Sequence, residues 1–191
     1  MASEHQHEQA TLVVPSAGGR PGLLLRPWTE QDIPALLAAH RDPLLRRWLR
    51  RLLTTEQEAR ELIEAQRANR RAGSAFGFAI MLTDPAGGPA TLAGSVGVRG
   101  LGAESVAGEV GYWVAAPARG RGIAGQALSA VREWVFGLPL ARPLERLDLI
   151  HTVGNQASCR VADKAGFRLS ATLPPLPPEF PGTGHLHVWT P

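Results

Sequence analysis

The sequence predicts an α/β domain in which helices flank a mixed, mostly antiparallel sheet of about six to seven strands. Three observations lead to this fold class. Strand-like and helix-like segments follow one another in the order β-α-α-α-β-β-β-α-β-α-β-β. The central strands are joined by turn clusters such as "DPAGGP", which are typical of an antiparallel meander. The 191 residues, 44% of them hydrophobic, suffice for one domain with a real core.

A change in composition sets the boundaries of this domain. Residues 1–20 are polar and then rich in glycine and proline ("PSAGGRPG"), and we interpret them as a flexible tail. Residues 21–191 contain the periodic segments, and no internal repeat divides them. We therefore predict a single domain over 21–191.

The composition is typical of a soluble globular protein. Charged residues make up 19% of the chain, and no apolar run approaches the length of a membrane span. The opening "MASEHQHEQA" lacks the pattern of a secretory signal. The single cysteine, Cys159, excludes an internal disulfide and suits a reducing compartment. We expect a cytoplasmic protein with no membrane partner.

The charge is mildly basic, with a net value of +3 and a pI near 9.9. Every basic residue except Lys164 is arginine, which reflects either the composition of the source genome or recognition of anions. No uninterrupted basic run exceeds two residues, and this argues against a nucleic-acid partner.

The first part of the domain is predicted as one strand and three helices. The strand "LLLRPW" leads into a first helix. Asp42 followed by Pro43 is typical of the start of a second helix. The third helix begins with a capping box formed by Thr55 and Glu58 and ends at Gly73.

The remainder alternates strands with helices. The predicted strands are "SAFGFAIMLT", "ATLAGSVGVRG", "GEVGYWVA", "RLDLIHTV", "FRLSATL" and "HLHVWTP". The predicted helices are "RGIAGQALSAVREWVF" and "NQASCRVADKAGF", and a proline-rich loop, "PPLPPEFPGTG", precedes the last strand.

The loop "ARGRGIAGQAL" fits two anion-binding patterns. Read from Gly120 it is G-x-G-x-x-G, the spacing of a dinucleotide-binding turn. Read from Arg119 it is R-x-x-G-x-A, the pyrophosphate loop of another enzyme class. A dinucleotide turn follows its strand immediately and opens a larger sheet, whereas here "AAPAR" intervenes and too little chain follows. The second pattern is therefore favoured.

This second pattern has a physical basis. Backbone N–H groups at the start of a helix lack intrahelical partners, and the helix dipole favours an anion there. Gly120 and Gly122 allow the backbone to approach a phosphate, and the small side chain of Ala124 adds little bulk at the start of the helix. A glycine-rich turn without a ligand is the alternative for the loop taken alone.

The segment "EVGYWVAAPARGRGIAGQAL" resembles the coenzyme A loop of the GNAT superfamily of N-acetyltransferases. The downstream "LDLIHTVGNQASCRVADKAGF" is similar to the second signature of that superfamily, and "LLLRPWTEQDIPALLAAHRD" resembles its opening strand and helix. Together they cover nearly the whole predicted domain. The patterns G-Y-W-V and N-x-A-S-x-R-V are similar to those of the branch that acetylates the N-terminal alanine of ribosomal proteins.

The resemblance implies a sheet splayed at its centre and direct transfer of an acetyl group from acetyl-CoA to an amine. Acetyl-CoA would lie between the strand at 109–115 and the strand at 146–152. Backbone N–H groups of Trp113 and Val114 would bind the thioester oxygen, and Ala115 and Ala116 would reach the pantetheine arm. The implied pyrophosphate donors lie in the loop, namely Arg119, Gly120, Arg121, Gly122, Ile123 and Ala124.

Two side chains are the candidate catalytic groups that the resemblance implies. Glu109 would accept the proton of the amine, directly or through water, and the alternative is a solvent-facing carboxylate. Ser158 of N-x-x-S would protonate the leaving thiolate. Asn155 would bind the pantetheine, or only cap its helix. Tyr112 reads as core or pocket wall.

The sequence predicts no metal site. His185 and His187 alternate on the last strand and so face one side, but no third ligand stands at a fitting spacing. We expect His185 and His187 either to line an acceptor groove or to be surface or packing residues. We expect Cys159 to be a small buried cysteine. The alternative is a catalytic nucleophile, for which His151 on the preceding strand would be the base.

The acceptor is the least determined part of the reaction. The resemblance favours a protein N-terminal amine, with a small amine such as an antibiotic or polyamine as the alternative. A non-catalytic acyl-CoA-binding module stays open. Trp48 among four arginines lies where this superfamily shapes its acceptor site, and a homodimer is common in such folds.

Overall fold

The computed structural model describes residues 9–84, 86–178 and 181–191. No helix in these ranges is long and apolar enough to cross a membrane. The strands are β1 (Leu12–Val14), β2 (Leu23–Arg26), β3 (Ala75–Leu82), β4 (Thr91–Arg99), β5 (Ala107–Val114), β6 (Arg146–Thr152), β7 (Arg168–Leu173) and β8 (Gly184–Trp189). The helices are α1 (Ile33–His40), α2 (Pro43–Trp48), α3 (Glu56–Arg71), α4 (Ile123–Phe136) and α5 (Gln156–Lys164).

The strands form one eight-stranded sheet in the order β1-β2-β3-β4-β5-β6-β8-β7. Only β5 and β6 pair in parallel, because α4 carries the chain from one to the other, and every other pair is antiparallel. The predicted α/β class with a mixed, mostly antiparallel sheet is confirmed.

One strand lies where the sequence indicated a flexible tail over 1–20. Leu12–Val14 form β1, an edge strand whose register pairs Leu12 with Leu25. Leu12 and Val14 pack against the main core, while Val13 is exposed. Three residues are too short for a periodic signal in the sequence, and only pairing with β2 makes them a strand.

The helix boundaries follow the capping residues of the sequence. The Thr55 hydroxyl accepts a hydrogen bond from the N–H of Glu58, and the Glu58 carboxylate accepts one from the N–H of Thr55, so the capping box is confirmed. Asp42 accepts from the N–H of Leu44 at 2.9 Å and begins α2.

Two apolar cores cover the two faces of the sheet. The larger core lies under α4 and includes Phe78, Val110 and Leu149. The smaller core packs α1 and α3 on the other face and includes Trp28, Leu36 and Ile63. Successive residues of β5 alternate between these cores, so its two faces border two different layers.

The parallel pairing of β5 and β6 stops before either strand ends. Its register runs from Ala107 opposite Arg146 to Val110 opposite Leu149 and goes no further. Beyond that point β5 continues along β4, and β6 continues along β8. The two strands therefore separate over their C-terminal halves, as the predicted splay requires.

β4 and β5 approach each other closely beside this gap. A Cβ atom on Gly94 would lie 2.2 Å from the carbonyl oxygen of Trp113, so no other residue fits without a backbone shift. The opposite strand has room, since a Cβ on Gly111 would meet nothing within 4 Å.

An ion pair joins the second strand to the turn before α1. The two carboxylate oxygens of Asp32 accept from Arg26 at 2.8 and 2.7 Å, and the N–H of Thr29 donates at 2.9 Å. Asp32 is 5% exposed. Burial alone would raise its pKa, but the hydrogen bonds from Arg26 and Thr29 and the charge of Arg26 outweigh burial and lower it.

We expect Asp32→Asn to lower the free energy of unfolding at pH 7 by about 2 kcal/mol or more, because charged hydrogen bonds to a buried group are lost. The lowered pKa means that this stability is present above about pH 4 and is lost as the pH falls through the folded-state pKa. Urea unfolding of both proteins between acidic and neutral pH should therefore show a difference that shrinks toward acid. The control Glu30→Gln, at an exposed site of the same turn, should show little difference at any pH.

Candidate active site

The loop before α4 has the backbone geometry of an anion site. Gly120 and Gly122 have φ values of 77° and 76°, which other residues adopt only at a cost. Gly122 is the N-cap of α4, and the helix begins with the buried side chains of Ile123 and Ala124. No backbone acceptor among the described residues receives the N–H groups of 120–124. The loop therefore presents unpaired donors at the start of a helix.

A second segment borders this loop. An open pocket of about 570 Å³ is lined by Gly120 and Arg121 on one side and by Arg20 of the β1–β2 connection on the other. Gln126 Nε2 donates to the carbonyl of Pro21 at 3.2 Å and holds the two segments together. Sequence reasoning missed Arg20, because nothing in the local pattern links it to a loop a hundred residues away.

The side chain of Arg119 contacts other parts of the protein. Its Nε donates to the carbonyl of Val114 at 3.1 Å, and its guanidinium forms an ion pair with Asp42, the cap of α2. The side chain of Arg119 is thus engaged within the protein, and its part in pyrophosphate binding stays a prediction. Arg121 is exposed and keeps that predicted role.

Strand alternation decides which amides face the gap between β5 and β6. The N–H of Ala115 donates to the carbonyl of Ala93 at 2.8 Å, so the amide of Trp113 also points toward β4. The amides of Tyr112 and Val114 point the other way, past the end of the β5–β6 pairing. Of the predicted backbone donors on β5, Val114 thus faces the gap, whereas Trp113 and Ala115 turn away. Tyr112 was not predicted as a donor.

Ser158 meets a partner that the sequence did not indicate. Its Oγ lies 2.9 Å from the hydroxyl of Tyr112, and Ser158 is 7% exposed. Burial raises the pKa of Tyr112, so the phenol stays protonated at neutral pH. Asn155 Oδ1 accepts from the N–H of Ser158 at 3.3 Å, which is a capping contact. The pair of hydroxyls lies between α5 and the strand that lines the gap.

Glu109 lies on the opposite face of β5 from Tyr112, opposite Asp148 in the last paired part of the sheet. Its carboxylate forms ion pairs with Arg99 on β4 and, at 3.5 Å, with Arg50. Arg50 belongs to the segment between α2 and α3. The predicted base therefore contacts two guanidinium groups, one from β4 and one from the segment between α2 and α3.

The arginines around Trp48 do not form one patch. Arg50 contacts Glu109, Arg51 lies 3.9 Å from Glu61, and the guanidinium of Arg47 lies 4.7 Å from the Trp48 ring centroid. The ring of Trp48 also reaches the turn before α5, where a Cβ on Gly154 would lie 3.4 Å away. This segment therefore contacts the turn that follows β6, and its part in an acceptor site stays a prediction.

Three histidines and the cysteine converge behind α5. One ligating atom from each of these four side chains lies within 4.8 Å of the others: His151, Cys159, His185 and His187. The expectation that no further ligand accompanies the two histidines of the last strand is therefore wrong. Cys159 is half-buried, not fully buried. The sequence hid this cluster because its members come from β6, α5 and β8.

The electrostatics of the cluster favour the neutral imidazole at His151 and at His187. Burial lowers the pKa of His151 and of His187, and the neighbouring histidines lower it further. His187 is 2% exposed, and neither of its ring nitrogens has a hydrogen-bond partner.

Comparison with known structures identifies similar folds. RimL, a ribosomal L7/L12 α-N-protein acetyltransferase, in complex with coenzyme A has 21% identity and a TM-score of 0.74, with 93% of this chain and 97% of that chain covered. The acetyltransferase from Salmonella typhimurium that modifies the N-terminal serine of L7/L12 has 22% identity and a TM-score of 0.74, covering 94% and 99%. The microcin C7 self-immunity acetyltransferase MccE, in complex with acetyl-CoA and AMP, has 16% identity and a TM-score of 0.73, covering 88% and 92%.

At these identities the structures share a fold with the chain, and the family is established separately. No curated protein matches the sequence. A family model described as an acetyltransferase (GNAT) domain matches residues 22–168. That range includes the splayed strands, the loop before α4 and the helix that carries Ser158. The chain therefore belongs to the GNAT family of acetyltransferases.

Proposed function

We propose that the protein transfers an acetyl group from acetyl-CoA to the N-terminal α-amine of a protein. The observation that carries the proposal is the gap between β5 and β6, which has the unpaired amides of the α4 loop at one end and the Tyr112–Ser158 pair on one face. Proteins of similar structure include N-terminal acetyltransferases of ribosomal protein L7/L12, and this supports the choice of acceptor.

Acetyl-CoA binding follows from the donors around the gap. The pyrophosphate accepts hydrogen bonds from the backbone of residues 120–124, with Arg20 and Arg121 adding charge at the rim. The pantetheine arm extends the sheet beside β5, where Val114 offers an unpaired amide. The amide of Tyr112, the first one beyond the paired region, donates to the thioester oxygen as it becomes an oxyanion.

The proton balance needs one donor and one acceptor. The amine nitrogen attacks the thioester carbon, the carbon–sulfur bond breaks, and the thiolate takes a proton from Ser158, which Tyr112 replenishes through their hydrogen bond. The raised pKa of Tyr112 keeps that proton on the pair until the thiolate forms.

Glu109 accepts the proton of the amine, directly or through water. Its carboxylate lies beside the guanidinium groups of Arg50 and Arg99. An α-amine, whose pKa is about 8, needs little help to lose its proton near neutral pH, whereas a lysine side chain, whose pKa is about 10.4, needs more. An α-amine is therefore the acceptor that demands least of Glu109.

A small-molecule amine is the second candidate acceptor. It is favoured by the structural similarity to MccE, which has been solved in complex with acetyl-CoA and AMP. A third candidate function is a module that binds acyl-CoA without turnover.

A cytoplasmic location and a homodimer stay predictions.

We expect Gly122→Ala to weaken acetyl-CoA binding by about tenfold or more, because a left-handed N-cap with a side chain distorts the donor loop. Wild-type protein should gain about 2.7 kcal/mol at about 100 times the Kd of acetyl-CoA, measured by thermal melts, and NADH should add nothing. Gly73→Ala is the matched control, since Gly73 has a φ of 66° at the end of α3 and a Cβ there meets nothing within 4 Å. Equal loss of acetyl-CoA binding in both variants would contradict the assignment of the loop.

We expect Ser158→Ala to lower kcat by about 100-fold with little change in KM for acetyl-CoA, because a general acid is lost. Tyr112→Phe should lower kcat less, and the double variant should be no slower than Ser158→Ala alone, since the two act as one unit. Ser170→Ala, on the exposed face of β7, is the control. An unchanged kcat in Ser158→Ala would mean that the thiolate leaves unassisted.

The same assay tests the base. Glu109→Gln should lower kcat/KM near pH 7, and the deficit should shrink above about pH 8, where the free α-amine is already neutral. Glu61→Gln, which breaks an exposed contact with Arg51, should leave the pH profile unchanged. A deficit independent of pH would assign Glu109 a structural role.

We expect a peptide with a free N-terminal alanine or serine to be acetylated at that amine, as read by mass spectrometry. The same peptide with a blocked N-terminus and an internal lysine should not react. Turnover of spermidine or an aminoglycoside alone would establish the small-molecule reading. Binding of acetyl-CoA without turnover of any amine would favour the non-catalytic module.

A further inference from the structure

The cluster of His151, Cys159, His185 and His187 has the composition of a transition-metal site. The Sγ atom of Cys159 lies 3.5 Å from Nε2 of His151 and 3.4 Å from Nδ1 of His185. The sulfur can donate its proton to Nε2 of His151 and accept an N–H from Nδ1 of His185, so a thiol–imidazole chain is the alternative explanation of these contacts. Two imidazole nitrogens and one sulfur at this spacing are also the arrangement of ligands around an ion.

The distances match the edges of a tetrahedron around zinc. With metal bonds of about 2.3 Å to sulfur and about 2.05 Å to nitrogen, neighbouring sulfur and nitrogen ligands stand about 3.6 Å apart. Both measured sulfur–nitrogen distances agree with that value. The four donor atoms span at most 4.8 Å, so small rotations of the side chains would complete the set.

His151 has the outer hydrogen bond that metal-bound histidines have. Its Nδ1–H donates to the carbonyl of Thr152 at 2.9 Å, and this leaves the lone pair of Nε2 directed at Cys159. Such a bond from the second ring nitrogen fixes the tautomer and orientation of a ligating imidazole.

His187 supplies an independent observation. It is 2% exposed, on the face of β8 that packs beneath α5, and both of its ring nitrogens lack a hydrogen-bond partner among the described residues. A buried imidazole without any partner is costly. Its ring stacks on that of His151 at 5.1 Å between centroids, and Asp163 Oδ1 lies 3.9 Å from its Nδ1. A bound ion would be a partner for one ring nitrogen of His187. After a small shift, Asp163 could accept a hydrogen bond from Nδ1–H of the same ring.

We propose that these four side chains bind one divalent transition-metal ion of the zinc class, through three imidazole nitrogens and the Cys159 thiolate. Three nitrogens and one sulfur suit a borderline-soft ion, and no carboxylate enters the set, which argues against calcium or magnesium. The thiol proton leaves to solvent on binding.

The position of the site gives the ion a structural effect. It would tie α5 to β6 and β8, and β6 is one wall of the acetyl-CoA gap. Ser158 precedes Cys159 on the same turn of α5, so the ion would also restrain the hydroxyl that contacts Tyr112. The proposal does not depend on the acceptor assigned above.

Titration of the metal-stripped, reduced full-length protein with Co²⁺ tests the site directly. We expect one Co²⁺ per chain, with the visible bands of tetrahedral cobalt and a near-ultraviolet band from thiolate-to-cobalt charge transfer. Zn²⁺ should displace Co²⁺ and so remove the visible bands and the charge-transfer band. Bound Zn²⁺ should also raise the melting temperature and slow alkylation of Cys159 by iodoacetamide.

Matched variants separate this site from accidental binding. Cys159→Ser keeps the size of the side chain and should abolish the charge-transfer band, while His185→Gln should weaken Co²⁺ binding at least tenfold. A variant with His5→Ala and His7→Ala removes the other closely spaced histidines, which lie outside the described residues, and should bind Co²⁺ as the wild type does. Circular dichroism confirms that each variant is folded.

Three results would overturn the proposal. These are the absence of stoichiometric Co²⁺ binding, octahedral spectra without a sulfur band, and binding lost with the N-terminal histidines but retained in Cys159→Ser. Fast alkylation of Cys159 that Zn²⁺ does not slow would also count against it and would favour a thiol–imidazole pair.

Discussion

The parallel pairing of β5 and β6 ends at Val110 and Leu149, and the rest of the active site depends on that ending. Because β4 stays paired with β5 up to Val114, the strand keeps its shape while its other edge is left open. An open edge of backbone N–H groups needs hydrogen-bond partners, from water or from a ligand. In the proposed function the cofactor takes the place of the missing strand pairing, and both cores support the strands that border it.

Several contacts hold this open edge in shape. The close approach of Gly94 to Trp113 sets the spacing of β4 and β5. Arg119 bonds the carbonyl of Val114 and the cap of α2, so the end of β5 is tied to the helical layer. Arg119 thus fixes the C-terminal end of β5.

The two faces of β5 divide the chemistry. Tyr112 and Ser158 lie on the side of α4 and α5, and Glu109 with its arginines lies on the side of α2 and α3. Alternation of side chains along a strand makes this division unavoidable. In the proposed reaction, the leaving thiolate and the incoming amine therefore meet separate groups on opposite faces of β5. The four side chains of the proposed metal site lie behind α5, next to the Tyr112–Ser158 pair.

The sequence by itself determined the fold class, the positions of nearly all strands and helices, the capping boxes and the glycine loop before α4. These features depend on local periodicity and on spacings of a few residues, which a single sequence records. It also identified Ser158 and Glu109 as candidates, through their resemblance to a family pattern. Only the tertiary structure decided which partners they meet. The contacts of Tyr112 with Ser158, of Arg50 with Glu109 and of Arg20 with the loop join distant segments. The direction of each amide on β5 and the convergence of three histidines with Cys159 depend on strand register, which local patterns do not specify.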